Sequence, residues 1–454
     1  MKRSWKRILG VFLVLGLLIG VPIGIWIYID DSEPPSHPVS ETLPFEHPLV
    51  DWIWSGAVTS RSAEVKAKLS PDVQARLAVQ PASDLGAPQF FDPLSIGETD
   101  GIAHFAVGDL LPDTPYFYTL ELDGIMDPTA GGAFRTPGEG PYSFVFAFGN
   151  GASTGSNGAV FDTIRGHEPL FFLHLGDLHY ENIIRNDPAI FLDAYDRVLA
   201  SPAQSRLYRA LPIVYVWDDH DFGPNNSTSQ SPSAEAARLA YEDAVPHYPL
   251  GPGGINQAFS VGRVRFILMD ARSQRVRREA TTLGVDQMAW LKDELLQANE
   301  NHALIVLVSS VPWIADEDVG LLTRADNWGG YPDERRDLAD FLAENAINNL
   351  VMLAGDAHML AIDDGANTNY ATGGSGPAFP LIHAASMDRE GSVKGGPFSM
   401  EPLPGGGQFA TMGVTDSGEF IEVEWIGRDY LDNQLLGFRF TVGLDGIGDR
   451  MALE

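Results

Sequence analysis

Hydrophobic patterning divides the chain into zones. The run from Ile8 to Ile29 carries no charged side chain; Lys2, Arg3, Lys6 and Arg7 precede it and Asp30 and Asp31 come after it. Roughly 20 apolar residues suffice for a membrane-spanning helix, and the basic flank stays in the cytoplasm. A cleavable signal peptide has a shorter apolar region ending in an A-x-A-like site, so the pattern predicts an uncleaved anchor over 1–30, with cleavage as the alternative. Residues 31–48, rich in Pro, Ser and Glu, read as a solvated linker. From 49 to 138 the pattern becomes short alternating runs between turn signals, among them WIWSGAVTS, EVKAKLS, IAHFAVGDL and YFYTLELDG. These predict an all-β sandwich.

Beyond Gly140 the apolar runs lengthen into YSFVFAF, LFFLHL, IVYVW, VRFILMD, ALIVLVSS and NLVMLAG. Helical periodicity occupies 189–200, 234–243, 285–299 and 333–346, and FATMGVT, GEFIEVEWIG and LLGFRFTV close the chain. Nearly continuous apolar strands belong to a sheet covered on both faces. Residues 141–454 are therefore expected to form one α/β domain.

Charge narrows the function. The 454 residues include 61 acidic and 30 basic side chains, a formal charge of -31. Such a surface disfavours nucleic acid as the main partner and suits metal cations. The absence of cysteine leaves oxygen and imidazole as metal ligands.

Three strand ends carry acid-rich motifs: GDLHY at 176–180, WDDHD at 217–221 and GDAH at 355–358. In open α/β sheets the crevice beyond the carboxyl ends of the strands is where ligands bind, so motifs distant in sequence converge there. Carboxylates, a phenol and imidazoles are the donor set of a two-metal site.

The order GDLHY, WDDHD, WGGYPDER at 328–335, GDAH and GGSGPAFPLIHAASMDR at 373–389 resembles the alkaline phosphatase D family of metallophosphoesterases, related to purple acid phosphatases. The segment LLPDTPYFYTLELDG followed by FRTP is similar to the fibronectin/Ig-like domain that precedes the catalytic domain in that family. The resemblance implies a four-layer α-β-β-α sandwich and two or more metal ions. Asp177 would bridge the metals and Tyr180 would bind iron as a tyrosinate. Asp219 stands where the family has an asparagine, with His220 as the neighbouring catalytic histidine; Asp356 would serve the second metal and His358 the first. Asp177, Asp219 and Asp356 form an all-oxygen set suited to a calcium-like ion, whereas Tyr180 and His358 suit iron. The implied reaction is in-line attack of a metal-activated hydroxide on a phosphate mono- or diester, with His220 stabilising the phosphoryl oxygen or protonating the leaving group. Asn150, Trp328 and Tyr331 are candidate substrate contacts, and Glu334 and Arg335 open a surface helix.

One departure stands out. The family's opening strand ends on a Cys or Asp iron ligand, but here YSFVFAF runs into GNGAST, which leaves Gly151 or Asn150 at that position. An alternative is therefore a catalytically weakened member acting as an envelope binding or interaction protein. Other motifs are weaker. GNGASTG departs from the dinucleotide fingerprint, GGSGP is not a nucleophile elbow, and TDSGE reads as a hairpin turn. Asp270 and Arg272 are expected to form an ion pair, His179 to neighbour the site without ligating, and His174 and His383 to be core histidines. The catalytic part is expected outside the cytoplasmic membrane, in the periplasm or at the cell exterior.

Overall fold

The computed structural model describes residues 37–454 apart from 84–85, 98–99, 319, 321–323, 444 and 454. The anchor or signal segment expected over 1–30 lies outside the described residues. Among those described, no helix is long and apolar enough to cross a membrane.

The chain is mixed α/β. The opening strand of its α/β part, Phe144–Ala152, lies parallel to Phe172–His174, which lies parallel to Ile213–Tyr215. Antiparallel strands Gln408–Asp416, Ile421–Asp429, Gln434–Gly443 and Gly446–Ala452 extend this sheet on one side. A second sheet is built on the parallel strands Val264–Leu268, Leu304–Ser309, Leu350–Ala354 and Leu381–His383.

The strand Leu304–Ser309 explains why its sequence shows no polar alternation. Leu304, Val306 and Val308 enter the core shared with the first sheet, whereas Ile305 and Leu307 enter a second core with Met288, Leu291 and Leu295 of the helix Gly284–Asn301 and Leu338 and Leu342 of the helix Pro332–Glu344. Successive side chains point to opposite faces, and here both faces are covered. Between the sheets Phe146 stacks on Phe171 with centroids 5.0 Å apart, and Phe266 meets both edge-on.

The segment 49–138 forms two β layers around its own core of Val65, Leu77, Val79, Phe105 and Leu120. One layer is not closed off: Val50–Gly56 pairs in parallel with the Ile213 strand at Gly56, so this layer and the first sheet of the α/β part are one twelve-stranded sheet. Hydrogen bonds reinforce the seam, from Trp52 Nε1 to Asp196 Oδ1 (2.8 Å), Trp54 Nε1 to the Ala244 carbonyl (2.9 Å) and the Tyr248 hydroxyl to the Val58 carbonyl (2.8 Å).

The helices Pro188–Ala200 and Pro202–Ala210 each begin on proline. Proline at a first helical position costs no hydrogen bond and presets φ, which is why Pro202, a breaker by composition, starts a helix that the hydrophobic periodicity does not predict.

Candidate active site

Two Gly-Asp corners, one from each sheet, form the floor of the site. Asp177 comes after Phe172–His174 and Asp356 after Leu350–Ala354, and both sit in the left-handed region, with φ of +59° and +58°. Asp and Asn tolerate that region better than other non-glycine residues. The glycines before them allow close approach. A Cβ on Gly176 would lie 2.5 Å from Asp218 Cβ, and one on Gly355 would lie 2.5 Å from the Leu175 carbonyl oxygen.

Asp221 fixes the first corner. Its buried carboxylate accepts from the backbone N–H groups of Asp177 (2.6 Å), Leu178 (2.7 Å), His179 (3.2 Å) and Asp218 (2.9 Å). Four converging donors suit an acceptor-only carboxylate, so this acid is spent on shaping the loop rather than on chemistry.

Above this floor, Tyr180 Oη donates to Asp177 Oδ2 at 2.6 Å and lies 2.9 Å from His358 Nε2, which is itself 3.9 Å from Asp177 Oδ2. Neighbouring donors around a cation bound at 2.0–2.1 Å are about 3 Å apart; two of the three separations in this O, O, N triangle are of that order and the third is longer. His358 Nδ1 faces the Glu390 carbonyl at 2.9 Å, an acceptor that fixes the proton on Nδ1 and leaves Nε2 as the ligating atom. Gly151 faces the same triangle: a Cβ there would be 3.0 Å from His358 Nε2 and 3.3 Å from Tyr180 Oη. It is Gly151, then, that occupies the position where the resemblance expects a ligand, and it offers no side chain.

The second group is all carboxylate. One oxygen each from Asp218, Asp219 and Asp356 lie within 4.8 Å of one another, and Asp177, Asp219 and His220 form an overlapping cluster on the same criterion. Asp177 Oδ1, Asp218 Oδ2 and Asp356 Oδ2 are buried without a hydrogen-bond partner. Buried carboxylate oxygens left unpaired are costly, and cations bound between them would remove that cost; the residues present fit a metal centre. Burial pushes the Asp177 carboxyl up, but His220, His358 and the Tyr180 hydroxyl outweigh it and hold the group well below the usual carboxylate range. Burial, and then Asp177, drive the Tyr180 phenol well above its ordinary value.

Further side chains join the site from outside these motifs. Asn182 Oδ1 lies 2.9 Å from His220 Nδ1. Arg272 makes a buried ion pair with Asp218 (2.8 and 2.6 Å) and reaches Asp326 at 2.8 Å, where Arg275 also binds. Lys394 Nζ donates to Asp356 Oδ1 at 2.5 Å. Asn182, Arg275 and Lys394 belong to no strand-end motif, and no spacing in the sequence marks them; Arg272 is visible in ILMDARS, with Asp270 as its expected partner.

Several expected roles change. The Asp270–Arg272 ion pair does not form: Asp270 accepts from Trp217 Nε1 (2.8 Å) and from the Arg272 backbone N–H, while the guanidinium turns to Asp218 and Asp326. Asn150 is fully buried; oriented to satisfy its neighbours, its amide donates to the Ala385 carbonyl (2.9 Å) and accepts from the Asp356 N–H (2.8 Å), bracing the second corner instead of facing solvent. Trp328 is also fully buried, its indole donating to Ser309 Oγ at 3.2 Å, and Tyr331 is buried beneath the Arg275 guanidinium. Both stand behind the site. Glu334 caps the backbone at Thr282 and Leu283, and Arg335, expected on a surface helix, is buried on the Trp313 and Ala315 carbonyls. His179 is buried against Phe191 and Tyr195, and burial lowers it to about 4. His174 and His383 are core residues lowered to about 3 by burial. GNGASTG continues the opening strand through Ala152, and TDSGE is the hairpin turn between Gln408–Asp416 and Ile421–Asp429.

Residues 144–380 match the family model described as PhoD-like phosphatase. The chain belongs to this family. PhoD-like membership makes it a hydrolase of phosphoric esters. A curated relative, alkaline phosphatase D of Bacillus subtilis (strain 168), is 24% identical over 415 residues, covering 76% of this chain and 69% of the relative. Among solved structures, one described as the structure of PhoD covers 92% of this chain and 93% of its own, with a TM-score of 0.66 at 16% identity, a likeness of fold.

Proposed function

We propose that this PhoD-like chain hydrolyses phosphate mono- or diesters at a centre of two cations, held by Asp177, Tyr180 and His358 on one side and by Asp177, Asp219 and Asp356 on the other. The observation that carries this reading is the set of buried, unpartnered oxygens on Asp177, Asp218 and Asp356, linked through Asp219. When bound, such ions supply charge neutralisation at phosphorus and activation of water. The phenol, imidazole and carboxylate of the first side suit iron, and the all-oxygen second side suits a calcium-like ion.

The side chains define the remaining roles. Asn182 Oδ1 is an acceptor, so His220 Nδ1 carries a proton and Nε2 is turned to the substrate. As the imidazolium, which carries a second proton on Nε2, it would donate that proton to a phosphoryl oxygen or to the departing alkoxide. Asp221 and Asn150 hold the two corners so that Asp177 and Asp356 do not need to reorganise. The catalytic part is taken to act outside the cytoplasmic membrane, on the strength of the basic and then apolar N-terminal pattern.

Asp177→Asn keeps a residue tolerant of the left-handed backbone, so it tests chemistry rather than folding. Together with His358→Ala it is expected to abolish both bound metal and turnover of a chromogenic phosphomonoester and diester supplied with iron and calcium. A fully metallated, fully active variant would overturn the assignment. Gly151 favours a second reading, a binding protein with weakened catalysis; wild-type protein that turns over neither ester under any metal supply, with or without chelator, would decide for it.

A further inference from the structure

The strand Ser386–Asp388 pairs in parallel with the opening strand at Asn150 and Ala152, so the loop that leaves it emerges beside the metal-ligand corners. This loop, REGSVKGG over 389–396, takes hold of one site residue after another. The Arg389 guanidinium carbon lies 4.0 Å from the Tyr180 ring centroid. The Glu390 carbonyl meets His358 Nδ1, the Ser392 N–H donates to the His358 carbonyl at 3.0 Å, and Lys394 reaches Asp356. Glycines fix its course. Gly395 has φ of +78°, and a Cβ there would lie 2.2 Å from the Ile314 carbonyl oxygen; one on Gly391 would lie 2.3 Å from the Gly405 nitrogen.

Lys394 thus stands at a boundary. Its side chain is 44% exposed, whereas that of Asp356 is 4% exposed. The ammonium spans from a buried carboxylate to the solvent side from which an ester arrives.

We propose that Lys394 is the phosphate clamp of this site and that it selects phosphomonoester dianions over diester monoanions. The proposal rests on the two-cation phosphoesterase reading and deepens it. Asp218 and Asp326 are matched by Arg272 and Arg275, which leaves Lys394 as the cation paired with Asp356 on the solvent side of the carboxylate set. A positive charge there is worth about twice as much to a monoester dianion as to a diester monoanion, because Coulomb attraction scales with the product of the charges. The four-carbon stem of Lys394 lets the ammonium move from Asp356 to a phosphoryl oxygen, the point-charge contact by which lysine binds phosphate.

The test uses the full metal-loaded chain with Lys394→Met and Lys394→Arg. For Lys394→Met, kcat/KM on 4-nitrophenyl phosphate is expected to fall about 10- to 100-fold, the worth of one charge-assisted contact, against about 3-fold or less on bis(4-nitrophenyl) phosphate. Calorimetric affinity for inorganic phosphate should weaken by a similar factor with metal content per chain unchanged, and Lys394→Arg should restore most of it. Equal losses on both esters, unaltered phosphate affinity, or loss of metal in Lys394→Met would each overturn the clamp. Wild-type protein that turns over neither ester yet binds phosphate through Lys394 would sink the phosphoesterase reading and leave the clamp standing.

Discussion

One amide oxygen decides which nitrogen of His220 faces the substrate. Asn182 Oδ1 accepts from the imidazole and from the Asn225 N–H at 3.2 Å, and its own amide nitrogen donates to the Tyr180 carbonyl at 3.2 Å. The histidine is thereby tied to the loop that carries Tyr180, whose ring lies 4.3 Å from the imidazole. Losing an orienting partner of this kind typically costs about 10- to 100-fold in activity. Asn182→Ala is expected to lower kcat within that range while leaving metal content intact, as steady-state kinetics and metal analysis would record. Loss of metal alongside kcat would mean that Asn182 supports the whole centre rather than one ring.

Between elements, the decisive tie is Asp221, which joins the start of the short helix Asp219–Phe222 to the turn after Phe172–His174. Asp221→Ala strips four buried N–H groups of their acceptor. At about 1–3 kcal/mol for each buried donor left unsatisfied, the loss should exceed 3 kcal/mol even after relaxation, measured by urea denaturation, and metal binding should go with it. The sequence discloses this region unevenly, for physical reasons. LFFLHL and NLVMLAG are legible because strands buried on both faces show as unbroken apolar runs, and the residues just past the end of such a run lie at a sheet edge. The run IVYVW is longer than its strand: Val216 and Trp217 are as buried as Ile213, but they leave the ladder after Tyr215, and burial alone does not mark where pairing stops. Asn182 and Lys394 act from irregular loops on partners 38 residues away, without any periodicity to announce them. Arg272 is visible in the sequence but with the wrong partner, since its neighbour Asp270 is taken up by Trp217 and backbone donors.

For the whole molecule, the seam at Gly56 and Ile213 means that one N-terminal β layer and the first catalytic sheet share one hydrogen-bonded surface. A single parallel bridge between residues so far apart leaves no local trace, which is why 49–138 reads as a free-standing sandwich. Calorimetry is expected to give one unfolding transition for residues 37–454, and removal of 49–138 should leave a remainder without cooperative unfolding; two separate transitions would show independent domains. Stability should also depend on pH through the buried histidines. His179 titrates at about 4 and His174 and His383 at about 3 in the folded chain, against about 6.5 when unfolded. Below 6.5 the unfolded chain takes up protons that the folded chain refuses, so stability is greatest above that pH and falls as pH drops toward 4, by about 1.4 kcal/mol per unit for each histidine. The buried histidines should therefore lower urea midpoints between pH 7.5 and 5.5, and His179→Phe should remove its share of that fall.

The left-handed backbone at Asp177 and Asp356 also bears on how such a chain can change over generations. Among non-glycine residues Asn and Asp accept that conformation most readily, and of the two only aspartate brings a charge. Each corner therefore favours a narrow choice: Asp, or the near-isosteric Asn, or Gly. A lineage that gave up the chemistry could do so in a single step to Asn at either corner with the fold undisturbed, and could return by the same step. The shape of the turn, more than the reaction it serves, sets which substitutions are open.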